Sequence, residues 1–389
     1  MYLDKREGLL MKRFDFPVGY HDFHKVKIMD FQMNRWYSMG YTRKEDMIEA
    51  ARKIDKLDDW KEVMIEKAEN ALEENRLMNA TFYYRAAEFF AHPSDPDKIA
   101  LYDKFINLFY TKLFAKEPIE RFVVPFGKSA LSAIKITSDS IEKKGTIVIH
   151  GGFDSFVEEF YSIGTFFADL NYDVIMFDGP GQGAVLKKQG LPITYQWEKP
   201  TKAILDYFKL DNVTLLGISM GGWLCFRAAA FEPRIKRVIA LSIAYDYMKI
   251  PPAFIEKFSL WLFKHEKLLN WMSDMKMKMM PQEKWGVDNL MYITKTSTPL
   301  ESAKAILEFN EENLKSELVK QHVLILTGEE DHFIPVKMHH MQVKALKNAK
   351  SITDYIFTRR DQAQNHCQVG NIGLALNTMK AWLEDKDRA

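Results

Sequence analysis

The sequence predicts an α/β fold: a mostly parallel sheet flanked by helices, with an N-terminal helical domain and a helical insertion. Three observations predict it. Apolar residues recur with a helical period from about Lys25 to Ala115, and that period changes after Pro118. Short, nearly continuous apolar runs then alternate with helical stretches, the pattern of strands covered on both faces by crossover helices. Between Ile243 and Lys320 a gap of over seventy residues carries no strand signal.

The 389 residues provide for two domains, or for one core with large insertions. The 54 basic and 53 acidic residues nearly cancel, so nothing global points to nucleic acid or to an acidic partner. Cys225 and Cys367 are the only cysteines, which excludes a disulfide framework and fits a reducing compartment. The first residues, MYLDKREGLLMKR, mix acids with bases and lack the apolar core of a signal peptide. No run approaches the roughly 18 apolar residues of a membrane span. A soluble cytoplasmic protein with a small-molecule substrate, and with no membrane or nucleic-acid partner, is expected.

Residues 1–24 show little periodicity. Thr42-Arg43-Lys44-Glu45 reads as a capping box, Thr42 at N-cap and Glu45 at N3, followed by a stripe of Met47, Ile48, Ala51, Ile54 and Leu57. Residues 60–90 continue the helical period as two helices. His92-Pro93-Ser94-Asp95-Pro96 breaks it, because neither proline fits a helix interior. Ile99, Tyr102, Phe105, Ile106, Phe109 and Leu113 mark a further helix. The helical cap domain is thus placed at 1–117 and the sheet domain at 118–389. Apolar runs at 119–125 and 131–137 around Gly127-Lys128 predict a hairpin. Strands follow at 146–150, 173–178, 213–219, 237–243, 322–328 and 351–357. The insertion, at about 246–312, holds Phe254, Trp261, Phe263, Trp271, Trp285 and the methionines Met272, Met275, Met277, Met279 and Met280. These suit a helical lid with a small core of its own, or a pocket wall.

In a parallel sheet, chemistry gathers at the carboxyl ends of the strands. Gly217-Ile218-Ser219-Met220-Gly221 lies between a strand and a helix, the context in which G-x-S-x-G presents a nucleophilic serine. Gly217 and Gly221 leave room where a Cβ would clash. After the strand at 146–150 comes His150-Gly151-Gly152-Phe153, where an N–H of Gly152 or Phe153 can join that of Met220 in an oxyanion hole. Asp178-Gly179-Pro180-Gly181-Gln182-Gly183 lacks a following Gly-Lys-Ser/Thr and reads as a rigid loop with a structural Asp178. In Gly328-Glu329-Glu330-Asp331-His332, Asp331 is better placed than either glutamate to orient a histidine. His366 alone among the histidines follows every strand; His339 and His340 read as part of a surface helix, and His332 as structural. The order Ser219, Asp331, His366 is that of the α/β-hydrolase fold. Asp246, just past the strand at 237–243, is either a substrate-side acid or a turn cap. No Cys/His spacing suggests a metal, and no cofactor is expected.

Taken together, HGGFDSF, FDGPGQG, GISMGG, GEEDHFIP and NHCQVGN resemble a narrower group of α/β-hydrolases. It comprises the FrsA-like esterases, the 2,6-dihydroxypseudooxynicotine hydrolase and the Ayg1-type polyketide-shortening hydrolases. The resemblance implies a triad of Ser219, Asp331 and His366, a pocket between helical domain and sheet, and a homodimer. The function so expected is that of a serine hydrolase working through an acyl-enzyme. Its target is an ester, or a carbon–carbon bond beside a ketone, in a bulky, partly aromatic small molecule. The alternatives are a peptidase resembling acylaminoacyl peptidases, and a regulatory or binding protein on a hydrolase fold.

Overall fold

A computed structural model describes residues 14–388. The opening thirteen residues, read above as lacking a signal-peptide core, lie outside that range. Five helices come first: α1 (Lys27–Ser38), α2 (Lys44–Lys53), α3 (Trp60–Glu73), α4 (Leu77–Phe90) and α5 (Asp97–Leu108). The long periodic stretch divides where Asn75 enters the left-handed region (φ 58°), and α4 stops before the expected proline break. Beyond α5 one widened turn follows, in which the Phe114 N–H donates to the Phe109 carbonyl at 3.0 Å.

The capping box at Thr42 does not form. Helix α2 begins at Lys44, and the Thr42 hydroxyl is buried with no partner among the described residues. Tertiary contacts set this end of the helix instead. Asn79 donates to the Tyr41 carbonyl (2.9 Å), the Arg43 N–H to the Tyr83 hydroxyl (3.3 Å), and Tyr83 to Asp46 in the first turn (2.7 Å).

The strands are β1 (Ile119–Phe126), β2 (Ser129–Ile136), β3 (Gly145–His150), β4 (Tyr172–Asp178), β5 (Val213–Ile218), β6 (Ile235–Leu241), β7 (His322–Gly328) and β8 (Ser351–Phe357). They form one sheet in the order β1-β2-β4-β3-β5-β6-β7-β8. The β1–β2 hairpin is antiparallel, β2 runs antiparallel to β4, and every later pairing is parallel. Between the strands run α6 (Tyr161–Ala168), α7 (Gly183–Gln189), α8 (Glu198–Tyr207) and α9 (Gly221–Phe231). Strand β6 ends at Leu241, short of the expected Ile243, because Ser242 turns to φ 70°.

Alternation along each strand divides the apolar runs between two cores. Ile147, Ile149, Leu216, Ile218, Ile239, Leu241, Leu324 and Leu326 face one way, and the N-terminal helices pack into the same continuous cluster. Val148, Leu215, Val238, Ala240, Val323 and Ile325 face the other way, toward α8 and α9. Part of the sheet's first face is therefore covered by α1 to α5.

The insertion comprises α10 (Ala253–Leu262), α11 (Glu266–Met279), α12 (Pro281–Thr294) and α13 (Pro299–Leu307). Its aromatic and methionine residues do not form the compact core that composition suggested. Phe254 is 73 % exposed, Trp271 60 % and Met279 76 %; Trp261, Met272, Met275 and Met280 are exposed as well. Only α12 and α13, through Trp285, Gly286, Leu290 and Ile306, reach the cavity described below. The chain closes with α14 (Glu311–Leu314), α15 (Val336–Ala345) and α16 (Ile372–Arg388). Helix α15 is not purely a surface helix: His339 is fully buried, its ring nitrogens paired with Thr327 and Asp354 at 2.9 Å each.

Candidate active site

Strand register brings the relevant loops together. His150 lies opposite Gly217, so the turns after β3 and β5 emerge side by side; Ile218 faces Leu241, and Leu241 faces Leu326. At the end of β5 the backbone folds sharply, with Ser219 at φ 63°, a conformation that costs a non-glycine residue about 1–3 kcal/mol. Side chains are excluded around it. A Cβ on Gly217 would stand 1.9 Å from the Gly221 carbonyl oxygen, and one on Gly222 1.9 Å from that of Ser242. Gly222, which the pentapeptide pattern omits, is thus as tightly constrained as Gly217.

Ser219 Oγ lies 2.8 Å from His366 Nε2, and His366 Nδ1 lies 2.7 Å from Asp331 Oδ2. A carboxylate can only accept, so Nδ1 carries a proton, and in the neutral ring Nε2 is left to accept from Ser219. Asp331 is held from both sides. Its Oδ1 accepts the N–H groups of Phe333 and Ile334 at 2.9 Å each, and its Oδ2 also accepts the Ser242 hydroxyl at 3.2 Å. Ser242 accepts in turn from the Cys367 N–H (3.3 Å), tying the histidine loop to the end of β6. The backbone of Gln364 and Asn365 lies directly on Gly328, where a Cβ would come within 2.3 Å of a carbonyl oxygen. Sequence reasoning missed both Ser242 and Gly328, although each stands at a strand end. Glu329 and Glu330 turn to the exterior, Glu330 pairing with Arg359.

Burial alone would raise the Asp331 carboxyl, but His366 and the two N–H donors hold it below its ordinary value. Burial likewise disfavours the charged imidazole of His366, yet Asp331 and the neighbouring Cys367 sulfur outweigh it and hold the ring's pKa above the ordinary histidine value. Burial, then His366, pushes His332 down to about 4; its ring packs on Phe31 and Phe333.

The loop after β3 meets the serine turn edge to edge. A Cβ on Gly152 would lie 2.6 Å from the Met220 nitrogen and 2.8 Å from that of Gly221. Gln182 is fully buried and orients the loop: its amide donates to the carbonyls of Gly151 (2.8 Å) and Gly152 (2.9 Å) and accepts from the Gly179 N–H (3.0 Å). No described residue accepts from the N–H of Met220 or Phe153. Gln182 was not singled out in the sequence, although it is the one residue of its glycine-rich loop able to donate and accept at once. Asp178 accepts from Val157 (3.0 Å) and Ala184 (3.4 Å), and burial beside Glu158 raises its carboxyl well above the ordinary range, consistent with a structural role.

Asp246 does not line the cavity. Its side chain caps the turn Tyr247–Lys249 through the Met248 N–H (2.9 Å) and accepts from Glu311 N–H (3.3 Å), so both oxygens are engaged in structure. The next residue, Tyr247, lines the cavity instead.

A cavity of about 440 Å³ opens over Ser219 and His366, roofed by α1 and α12. Gly152, Phe153 and Met220 line its floor, and most of the remaining wall is apolar. Among the described residues, no three His, Cys, Asp or Glu side chains are arranged to hold a metal ion, and no helix is long and apolar enough to cross a membrane.

Comparison with known proteins agrees with this architecture. The family profile described as alpha/beta hydrolase fold matches residues 147–355, more than half of the chain. The Fusarium hydrolase LUC6 is 27% identical over 340 residues, 79% of this chain and 80% of that protein. The 20-hydroxy-prefusarin hydrolase FUS2 of Gibberella moniliformis is 27% identical over 279 residues, 66% of each chain. Among solved structures, that of 2,6-dihydroxy-pseudo-oxynicotine hydrolase superposes with a TM-score of 0.65 at 19% identity, covering 90% of this chain and 95% of its own. That likeness is one of fold; the profile match over more than half of the chain makes this chain a member of the α/β-hydrolase family.

Proposed function

We propose that this protein is a serine hydrolase acting on a bulky, largely apolar small molecule, through an acyl-enzyme on Ser219. The continuous relay from Ser219 through His366 to Asp331 carries the reading. Ser219 Oγ attacks the substrate carbonyl carbon while its proton passes to His366 Nε2, and Asp331 stabilises the imidazolium that forms. The N–H groups of Met220 and Phe153, beside the close-packed Gly152, receive the developing oxyanion. The bond to the leaving group then breaks, and the leaving group takes the proton from His366. Water, losing a proton to the same nitrogen, attacks the acyl carbon and releases the acid and free Ser219.

An ester and a carbon–carbon bond beside a ketone both fit this sequence. They differ in whether an alkoxide or an enolate takes the proton. With both Asp246 oxygens engaged, that proton comes from His366. The name of FUS2 assigns it a hydrolytic reaction on 20-hydroxy-prefusarin; a large apolar substrate here accords with the cavity over Ser219.

The test is hydrolysis of p-nitrophenyl esters from acetate to decanoate, with fluorophosphonate labelling, in wild type and Ser219→Ala. Turnover should fall about 10⁴-fold or more in the variant, and labelling should vanish. Labelling that persists in Ser219→Ala would sink the assignment. Labelling without ester turnover would direct the search to aryl ketones and diketones.

A further inference from the structure

The cavity over Ser219 holds two neutral side-chain donors that the protein leaves without acceptors. Gln32, on α1, is one; it is 4 % exposed and lines the cavity. Arg35, one turn along α1, donates to Gln32 Oε1 at 3.3 Å. A guanidinium can only donate, so the amide oxygen is fixed on that side and the amide nitrogen is turned away. Arg35 is itself held by Glu159 at 3.0 Å, which meets its charge. The Gln32 amide nitrogen makes no hydrogen bond among the described residues, yet unlike the enclosed indole nitrogen of Trp36 it keeps accessible surface. On so buried a side chain, that surface belongs to the cavity.

Tyr247, just past β6, is the other. Its backbone N–H donates to the Phe309 carbonyl (3.2 Å), and its ring packs on Phe309 and beside Ala244, Ile334 and Met338. The body of the side chain is thus fixed. Its hydroxyl, like the Gln32 nitrogen, keeps accessible surface and has no partner among the described residues. Burial, then Asp331 and Cys367, raise its pKa above the ordinary phenol value, so the hydroxyl stays a donor and lies on the His366 side of the cavity. The cavity's other hydroxyl and thiol donors are spent. Tyr41 donates to the Glu159 carbonyl (2.9 Å), Ser155 to that of Gly152 (3.3 Å), Cys367 to that of Leu241 (3.5 Å), and Ser219 to His366. A few donors in an otherwise apolar wall fix a ligand's orientation, and a ligand that covers them without an acceptor forfeits the bond.

We propose that Gln32 and Tyr247 are specificity-determining residues, their free donors each binding a neutral oxygen, of a ketone or an ether, that the substrate carries apart from the carbonyl attacked by Ser219. The proposal rests on the hydrolase reading for the bond broken, and on the cavity wall alone for the oxygens bound. Neither donor is charged and Arg35 is paired with Glu159, so the wall suits a neutral acceptor. A hydrocarbon of the same shape would fill the apolar surface but leave both donors unpaired, and a site built to hydrogen-bond an oxygen rejects an analogue that lacks it. Gln32 comes from the N-terminal helices and Tyr247 from the end of a strand, so this selectivity is divided between the two parts of the fold.

Two measurements test it. Kinetically, esters are compared in matched pairs, one methylene of the acyl chain or of the alcohol being replaced by a ketone carbonyl or an ether oxygen at successive positions. Wild type should favour the oxygenated partner by about tenfold in kcat/KM for at least one position. There Gln32→Met or Tyr247→Phe, whichever removes the engaged donor, should bring the ratio close to one. Each ratio compares a protein with itself, so a general loss of activity or stability does not move it. Binding of 4-phenylbutan-2-one against its alkene isostere, in which CH2 replaces the ketone oxygen, reads the subsite without turnover. It is followed by the fluorescence of Trp36 and Trp285, which line the cavity, in folded Ser219→Ala. Tighter binding of the ketone, lost on adding Gln32→Met or Tyr247→Phe, supports the proposal even if no ester is hydrolysed. Equal binding of ketone and alkene with no oxygenated ester favoured, or a preference that survives both substitutions, overturns it and leaves the hydrolase assignment standing.

Discussion

A methyl group on Gly152 should disable the site while leaving the fold nearly intact. In Gly152→Ala the added Cβ would stand 2.6 Å from the Met220 nitrogen, 2.7 Å from Met220 Cβ and 2.8 Å from the Gly221 nitrogen. Ordinary contacts of this kind begin near 3.4 Å, so the two backbones must separate by about 0.6–0.8 Å. Neither can yield easily: Gln182 clamps the Gly151 and Gly152 carbonyls, and the serine turn is fixed by Ser219 N–H donating to the Leu241 carbonyl at 2.8 Å. The displacement falls on the two N–H groups proposed to share the oxyanion. Losing one such donor costs about 10²–10³ in kcat, and a shift approaching 1 Å has an effect of similar order. We expect kcat on a p-nitrophenyl ester to fall about 10²-fold or more, with fluorophosphonate labelling slowed in parallel. The thermal midpoint should drop by only a few degrees, in line with roughly 1–2 kcal/mol of overpacking. A Gly152→Ala enzyme with kcat within about threefold of wild type would refute the placement of the oxyanion between these loops.

Two further outcomes follow from the same geometry. Because Asp331 and Cys367 outweigh burial and hold the His366 pKa above the ordinary histidine value of 6.5, the imidazole stays protonated where an ordinary histidine would be free, and only the neutral ring can accept the Ser219 proton. The rise of kcat/KM with pH should therefore be centred above 6.5; the same shift stabilises the fold below that pH and is lost as pH climbs through the folded value. A limb centred below 6.5 would contradict it. Gln182→Met keeps the volume but removes three buried hydrogen bonds, at about 1 kcal/mol each, so urea unfolding should show a loss of about 3 kcal/mol together with lower kcat; a loss under about 1 kcal/mol would show that the clamp is dispensable.

Much of this architecture was legible in the chain. Strands β7 and β8 begin and end where their apolar runs do, and the hairpin, the proline break and the glycine turns stand where local chemistry requires them. Ser219, Asp331 and His366 were legible because each follows a recognisable strand, and strand ends converge by topology. Asp246 satisfied the same positional rule yet serves as a cap, because the rule locates a residue without saying which neighbours its oxygens meet.

Local signals failed wherever a distant partner decided the outcome. Thr42 has the sequence of a cap, but contacts to Asn79 and Tyr83, about forty positions away, set the start of α2. His339 sits in a polar helix and is buried by Thr327 and Asp354. The insertion's aromatic residues look like core material and stand largely exposed.

The sequence by itself determined the order of elements, the sheet and the three residues of the relay. These depend on periodicity and on glycine stereochemistry, which act over a few neighbouring residues. Only the tertiary structure decided what surrounds them. Arg35 and Arg85 read as ordinary polar positions on helices until Glu159, 124 and 74 residues further along, is brought between them. Burying a charge is tolerable only where long-range folding delivers its counter-charge, and no local pattern records that meeting.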